Sequence, residues 1–112
     1  MKRPHLNRRL TLERPERVAD GAGGFNETWT AAGQLWAEVS ARTGSERRVG
    51  GAARSQMRFK IVVRNAPMGA DSRPSPDQRF REGDRVFVIR AVAERDPARM
   101  YLTCFADEEV AV

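Results

Sequence analysis

The feature that most constrains this chain is an alternation of apolar and polar side chains with a period of two, which recurs in stretches separated by Gly, Pro and Asp. Successive side chains of a β-strand point to opposite faces of a sheet, so the alternation predicts strands that bury one face. It is clearest in MRFKIVVR, residues 57–64. GDRVFVIRAVAE, residues 83–94, is almost continuously apolar, as in a central strand, and RMYLTCFAD, residues 99–107, is predicted to form a hairpin with it.

Two earlier stretches are also predicted as strands. Residues 9–18 alternate, and Pro15 favours an edge position because proline cannot donate to a strand ladder. Residues 26–41 are predicted as two short strands on either side of Gly33. All the stretches together predict an all-β fold, a small antiparallel β-barrel or sandwich of about six strands with long loops.

Three segments separate the predicted strands. DGAGG, residues 20–24, predicts a turn because glycine tolerates positive φ. Residues 43–56 show no alternation and are interpreted as a long mobile loop with one short helical turn after Ser45, a suitable N-cap. Residues 65–78 contain three prolines and are interpreted as a second loop.

The length of 112 residues suits one domain, so we expect a single domain over residues 1–112, with a flexible N-terminal tail at residues 1–8. No apolar run approaches the roughly 18 residues that a membrane span needs. No apolar segment follows the basic start, as it would in a signal peptide. The only cysteine, Cys104, excludes an internal disulfide and fits a reducing cytoplasm. We therefore expect a protein that is neither exported nor membrane-bound.

No group of residues predicts catalysis or cofactor binding. A nucleophile needs a nearby base, and the only histidine, His5, lies in the tail. Cys104 falls within the last strand pattern, where a core thiol is expected. The carboxylates are spread over segments that we expect to be solvated, and the glycine-rich GAGG and VGG lack the lysine of a phosphate-binding loop. We expect no enzyme, no metal and no cofactor.

The charge distribution raises the question of a nucleic-acid partner. The net charge is +5, and arginine supplies all but two of the 20 basic residues. Trp29 and Trp36 would suit base stacking in a single-strand binder. We favour a solvated basic surface over specific DNA recognition, and tryptophans that fill the core or anchor a subunit interface over stacking platforms.

The segments, taken in chain order, resemble those of a known family. In chain order they are RLTLERPERV, GGFNETWTAAGQLWAEV, the GSE of the first loop, MRFKIVVR, GDRVFVIRAV and YLTCFADE. This arrangement resembles the head-tail joining proteins, also named head-closure or stopper proteins, of tailed bacteriophages and phage-derived particles. The second loop, with Pro67, Pro74 and Pro76, is longer than the family pattern and is interpreted as a contact specific to this particle.

The resemblance implies a structural virion protein at the neck, made in the bacterial host cytoplasm. Such proteins form a ring, commonly a hexamer, below the portal and adaptor rings and above a tail terminator or tail tube. The ring closes the DNA-filled head and joins it to the tail, with non-specific contacts to packaged double-stranded DNA. The particle is expected to be a phage, a prophage or a gene transfer agent.

The resemblance and the charge pattern suggest two sets of functional residues. The residues expected to contact DNA in the channel or to gate it are Arg42, Arg47, Arg48, Arg54 and Arg73. The residues expected at the subunit interface are Trp29, Trp36, Asp107, Glu108 and Glu109. Two alternatives stay open, a tail terminator ring and a monomeric β-barrel that binds single-stranded nucleic acid.

Overall fold

The computed structural model describes residues 3–42, 45–49 and 52–109, and the side chains of residues 3–42 and 57–109. The described part forms strands and no helix, which confirms the all-β fold class and removes the helical turn expected after Ser45. None of it forms a helix that could cross a membrane. The strands are β1 (Arg8–Ala19), β2 (Phe25–Ala41), β3 (Ser45–Val49), β4 (Ala52–Gln56), β5 (Arg58–Arg64), β6 (Arg79–Glu82), β7 (Arg85–Glu94) and β8 (Tyr101–Glu109).

Six strands close into one antiparallel barrel in the order β1-β2-β5-β8-β7-β6. The ring is completed where Thr11–Glu13 of β1 pair with Arg79–Arg81 of β6. The predicted hairpin of the last two strands is confirmed, since β7 pairs with β8 over nearly its whole length. Of the two architectures that the alternation allowed, the chain adopts the barrel.

The core fills the inside of the barrel with one face of each strand, as the alternation predicts. Phe59 and Phe87 meet edge to face within it, with ring centroids 5.1 Å apart. Packing of this kind adds to the stabilisation that comes from burying apolar surface. The core residues are Leu10, Leu12, Ala37, Phe59, Ile61, Val63, Phe80, Phe87, Ile89, Leu102, Cys104 and Ala106.

The prediction of two short strands around Gly33 is wrong, because β2 is one strand of 17 residues. The register with β1 shifts at this point, Leu12 pairing with Gly33 and Glu13 with Ala31, so Ala32 is an extra residue in a β-bulge. Gly33 has φ of +142°, a conformation that glycine adopts far more easily than other residues. The glycine that resembled a strand break therefore bends a continuous strand.

The prediction that β1 is an edge strand holds for only part of its length. Thr11–Glu13 have strands on both sides, β2 and β6, so this part is internal. Pro15 lies two residues beyond the pairing with β6 and pairs with Trp29 of β2 alone. Pro15, which has no backbone N–H to donate, therefore lies where the sheet has only two strands.

The turn predicted at residues 20–24 is confirmed and closes the β1–β2 hairpin. The Asp20 carboxylate accepts hydrogen bonds from the backbone N–H groups of Ala22 at 2.8 Å and Gly24 at 3.0 Å. These bonds hold the pKa of Asp20 below its usual value. Gly21 and Gly23 have positive φ, which explains the glycine-rich sequence.

The segment 43–56, expected as a mobile loop, instead contains the antiparallel pair β3 and β4, a separate two-stranded sheet. Its sequence shows no apolar alternation because the hairpin is not part of the barrel wall. The loop predicted at residues 65–78 is confirmed as a series of turns, and it is joined to β7 by backbone hydrogen bonds between Gln78 and Ile89 and between Asp77 and Ile89.

The strand registers define two different ends of the barrel. Only Ala37–Ala41 of β2 pair with β5 and only Thr11–Glu13 of β1 pair with β6, so the parts of the β1–β2 hairpin nearer its turn extend past the barrel. We name this extension, Arg14–Ala19 with Phe25–Ala31, the arm, and its end of the barrel the arm end. The hairpin end is the opposite one, where β3 and β4 leave between β2 and β5.

Residues 3–7 carry no regular structure and lie at the hairpin end, where the backbone N–H of His5 donates to a Glu38 carboxylate oxygen at 2.8 Å. The flexibility of the N-terminal tail stays a prediction. The loop 65–78 and the turn between β7 and β8 both lie at the arm end.

The bulge gives a first testable prediction. We expect Gly33→Ala to lower the free energy of unfolding by about 1–3 kcal/mol through backbone strain. Strain would be the only cause, since an added Cβ would meet no atom within 4 Å and would not clash. Urea denaturation of the purified protein measures this change. The neighbouring exposed Ala31→Val is the control and should change stability by less than about 0.5 kcal/mol. Equal stabilities of the two variants would contradict the prediction.

Candidate functional surfaces

An ion pair at the base of the arm is the most buried charged contact among the described residues. Glu13 is only 8% exposed, and Arg79 Nε donates to its Oε1 at 2.6 Å. Arg81 is a more distant partner, with Nη1 4.0 Å from the other carboxylate oxygen. The Arg79 guanidinium also stacks on Trp29, 4.0 Å from the ring centre. This cluster fixes the arm to β6 on the outside of the barrel.

Sequence reasoning missed this cluster because it treated the carboxylates as solvated. Glu13 and Arg79 are 66 positions apart, and only the β1–β6 pairing brings them together. Trp29, predicted at the interface, is partly buried, and one face of its ring is covered by Arg79. That face is not available to a nucleic-acid base, which disfavours the single-strand-binding alternative.

Trp36, the second tryptophan, is 54% exposed on the outer wall of the barrel. It pairs with Arg9 of β1 and lies next to the end of β5. An exposed tryptophan is a common anchor of protein interfaces. Its assignment to a subunit interface remains a prediction.

The acidic residues near the C-terminus are part of β8 and not the solvated tail that was expected. Asp107 accepts from Arg90 Nε at 3.1 Å, and Glu108 accepts from Arg85 Nε at 2.7 Å. The hydrogen bond to Glu108 raises the pKa of Arg85. Glu109 is exposed. The first two acids are thus engaged inside the chain, and their role in subunit contacts stays a prediction.

The arginines predicted for the channel fall in three different environments. Arg42 is exposed at the start of the β2–β3 connection, with its guanidinium 5.0 Å from the centre of the Phe105 ring. Arg73 is partly buried and donates to Asn65 Oδ1 at 2.9 Å and to the Ala66 carbonyl at 2.7 Å, which ties the loop 65–78 together.

The other three, Arg47, Arg48 and Arg54, belong to β3 and β4, and their side chains lie outside the described part. The register pairs Arg47 with Arg54, so two positive residues occupy one cross-strand position. The acids 107–109 lie at this same hairpin end, since Arg58 at the start of β5 pairs with Asp107. The two sets of opposite charge are therefore not on opposite ends of the barrel.

The described residues provide no assembled chemistry. Cys104 is fully buried in the core, and burial raises the pKa of its thiol to about 12, so it stays protonated near neutral pH. No group of three His, Cys, Asp or Glu side chains in the described part could hold a metal ion. The surfaces that remain are suited to contacts with other macromolecules.

The Glu13 cluster gives a second prediction. We expect Arg79→Ala to lower the free energy of unfolding by about 3 kcal/mol, because it leaves a largely buried carboxylate without its hydrogen-bonded partner. Arg81→Ala removes the distant partner and should cost less than about 1 kcal/mol. Chemical denaturation of both variants gives the comparison. Equal losses of stability in the two variants would show that the close Glu13–Arg79 pair stabilises the fold no more than the distant Glu13–Arg81 pair.

Comparison with known proteins agrees with the resemblance seen in the sequence. Residues 1–109 match the family model described as phage head completion protein. No curated protein matches the chain. A chain in the solved structure entitled virion of native gene transfer agent (GTA) particle has 57% sequence identity and a TM-score of 0.83, over 97% of this chain and 100% of that chain. This chain belongs to the phage head completion protein family.

Proposed function

We propose that this protein forms a ring below the portal and adaptor of a phage-like particle, where it closes the DNA-filled head and provides the surface to which the tail attaches. The observation that carries the proposal is the similarity, over nearly the whole of both chains, to a chain of a gene transfer agent virion.

The two unlike ends of the barrel support a position between two different neighbours. Most of the large apolar side chains that are exposed lie toward the arm end, whereas the hairpin end carries arginine-rich β3 and β4. The exposed side chains at the arm end are Val18, Phe25, Met68 and Met100, and Trp36 lies on the barrel wall. Exposed apolar residues in such a group are typical of a protein contact surface. A component that joins head to tail needs two different contact surfaces of this kind.

The hairpin of β3 and β4 is the best candidate for the part that closes the channel. It shares no strand pairing with the barrel, so it can change position without breaking the barrel's hydrogen bonds. The register places Arg47 opposite Arg54, so the hairpin has two positive residues at one cross-strand position. A DNA phosphate would neutralise them without any reading of base sequence.

Cryo-electron microscopy of the particle neck tests the proposal directly. We expect a symmetric ring of barrels, six in number, between the portal and adaptor on one side and the tail on the other, with β3 and β4 directed into the channel. Density for this chain at the far end of the tail tube would instead assign it as a tail terminator. Particles that contain no copy of the chain would refute a structural role.

Replacing the β3–β4 hairpin tests its role in closing the channel separately from the folding of the barrel. Residues 42 and 58 are already joined by a backbone hydrogen bond of 2.7 Å, so Asn-Gly in place of residues 43–56, which with Met57 makes a three-residue loop, should leave the barrel intact. We expect the shortened protein to unfold at nearly the same urea concentration as the original, while particles that carry it lose packaged DNA. The matched control replaces Arg47 and Arg54 with alanine and keeps the hairpin. Full retention of DNA by the shortened variant would contradict a closing role.

A further inference from the structure

The arm has two strand edges to which no further strand pairs in the described part of the chain. Arg14–Ala19 and Phe25–Ala31 pair only with each other, whereas Thr11–Glu13 on β1 and Ala37 on β2 are paired on both sides. Exposed strand edges readily pair with another chain, and stable proteins usually shield them. A projecting hairpin of this length indicates a partner in the assembled state.

The outer face of the arm carries an exposed aromatic ring and an acid, Glu27, whose cross-strand neighbour is Arg17. Phe25 is 60% exposed, and the Arg17 guanidinium lies 4.6 Å from its ring centre. Glu27 alternates with Phe25 and so shares its face, and among the described residues it makes no ion pair. The β1–β2 hairpin from residue 14 to residue 31 has three acids and two arginines, in a chain whose net charge is +5.

A surface of complementary character lies on the barrel wall of the same chain. The exposed Trp36 pairs with Arg9 on β1, and Arg64 follows Val63, the partner of Ala37, at the end of β5. Both arginines are exposed, and neither forms an ion pair within the described part of the chain. We name these three residues the Trp36 patch. It offers a large apolar ring between two positive charges.

The arm cannot reach the Trp36 patch of its own chain. Glu27 and Trp36 are nine residues apart on one strand, a separation of roughly 30 Å at the usual rise per residue. Two complementary surfaces that cannot meet within one molecule can meet between copies. Because the two surfaces differ, each copy can bind one neighbour with its arm and another with its patch, which generates a ring or a filament.

We propose that the arm of each subunit packs across the Trp36 patch of the next copy, with Phe25 against Trp36 and Glu27 between Arg9 and Arg64. This inference rests on the ring of the proposed function and names the contact that joins its subunits. Opposite charges at the edge of such a contact select the correct partner and register, while the aromatic rings supply the apolar contact.

Zero-length cross-linking tests the contact in assembled particles. A carbodiimide couples a carboxylate to an adjacent amine, and the chain has only two lysines, at positions 2 and 60. In particles carrying Arg64→Lys, we expect a ladder of cross-linked multimers and, by mass spectrometry, a peptide that joins position 64 to Glu27. Because that pair is too distant within one chain, the link would have to join two copies.

Two controls make the result decisive. Adding Glu27→Gln to Arg64→Lys removes the carboxylate and should abolish the ladder. Glu38 is diagonal to position 64 on the neighbouring strand, so a link between these two positions within one chain shows that the reagent reaches the site. If only the Glu38 link forms while microscopy shows the ring, this contact is wrong and the proposed function stands. If no ring is seen at all, the proposed function fails as well.

Charge reversal gives an independent measurement. We expect Glu27→Arg to reduce the yield of DNA-filled, tailed particles by roughly tenfold or more, because it places three positive charges together. Arg64→Glu in the same chain should restore most of the yield. Asp84→Arg, a reversal in the exposed turn at the hairpin end, is the matched control. No rescue by the second change would overturn the proposed pairing.

Discussion

The barrel depends on one short pairing that closes it, between Thr11–Glu13 of β1 and Arg79–Arg81 of β6, which we name the seam. On the inside of this seam, Leu12 and Phe80 are fully buried in the core. On the outside, Glu13 binds Arg79. The seam thus combines apolar burial with a charged hydrogen bond, and without it the six strands would be an open sheet with two free edges.

The brevity of the seam also explains the arm. Because β6 pairs with only three residues of β1, and β5 with only five residues of β2, both long strands continue beyond the barrel as a two-stranded hairpin. Isolated two-stranded hairpins are marginally stable in water. The arm is held by its bulge, by Arg79 on Trp29 and by Arg14 near Asp71. A rigid barrel with two projecting hairpins suits a component whose work is contact with neighbours.

The sequence predicted best those parts that face the core. The alternation in residues 57–64 and the apolar run after Gly83 correctly indicated β5 and β7, and Cys104 is a core residue as expected. Features set by long-range pairing could not be predicted: Gly33 looked like a strand break because its bulge exists only opposite β1. The pair of Glu13 and Arg79 left no local signal for the same reason. The β3–β4 hairpin was missed because its sequence shows no apolar alternation and its strands form a sheet separate from the barrel.

Some of the arginines form ion pairs within the fold, and others are inferred to bind a partner. On the barrel wall, arginines pair with acids on neighbouring strands, as in Arg8 with Glu82 and Arg85 with Glu108. Each exposed pair adds little stability, but together they neutralise the wall. The sequence concentrates positive residues between Arg42 and Arg58, and Arg9 and Arg64 of the Trp36 patch form no ion pair in the described part of the chain. Concentrated positive charge is where an anionic partner gains most, which is why DNA and the acidic arm of another copy are the partners inferred for these two surfaces.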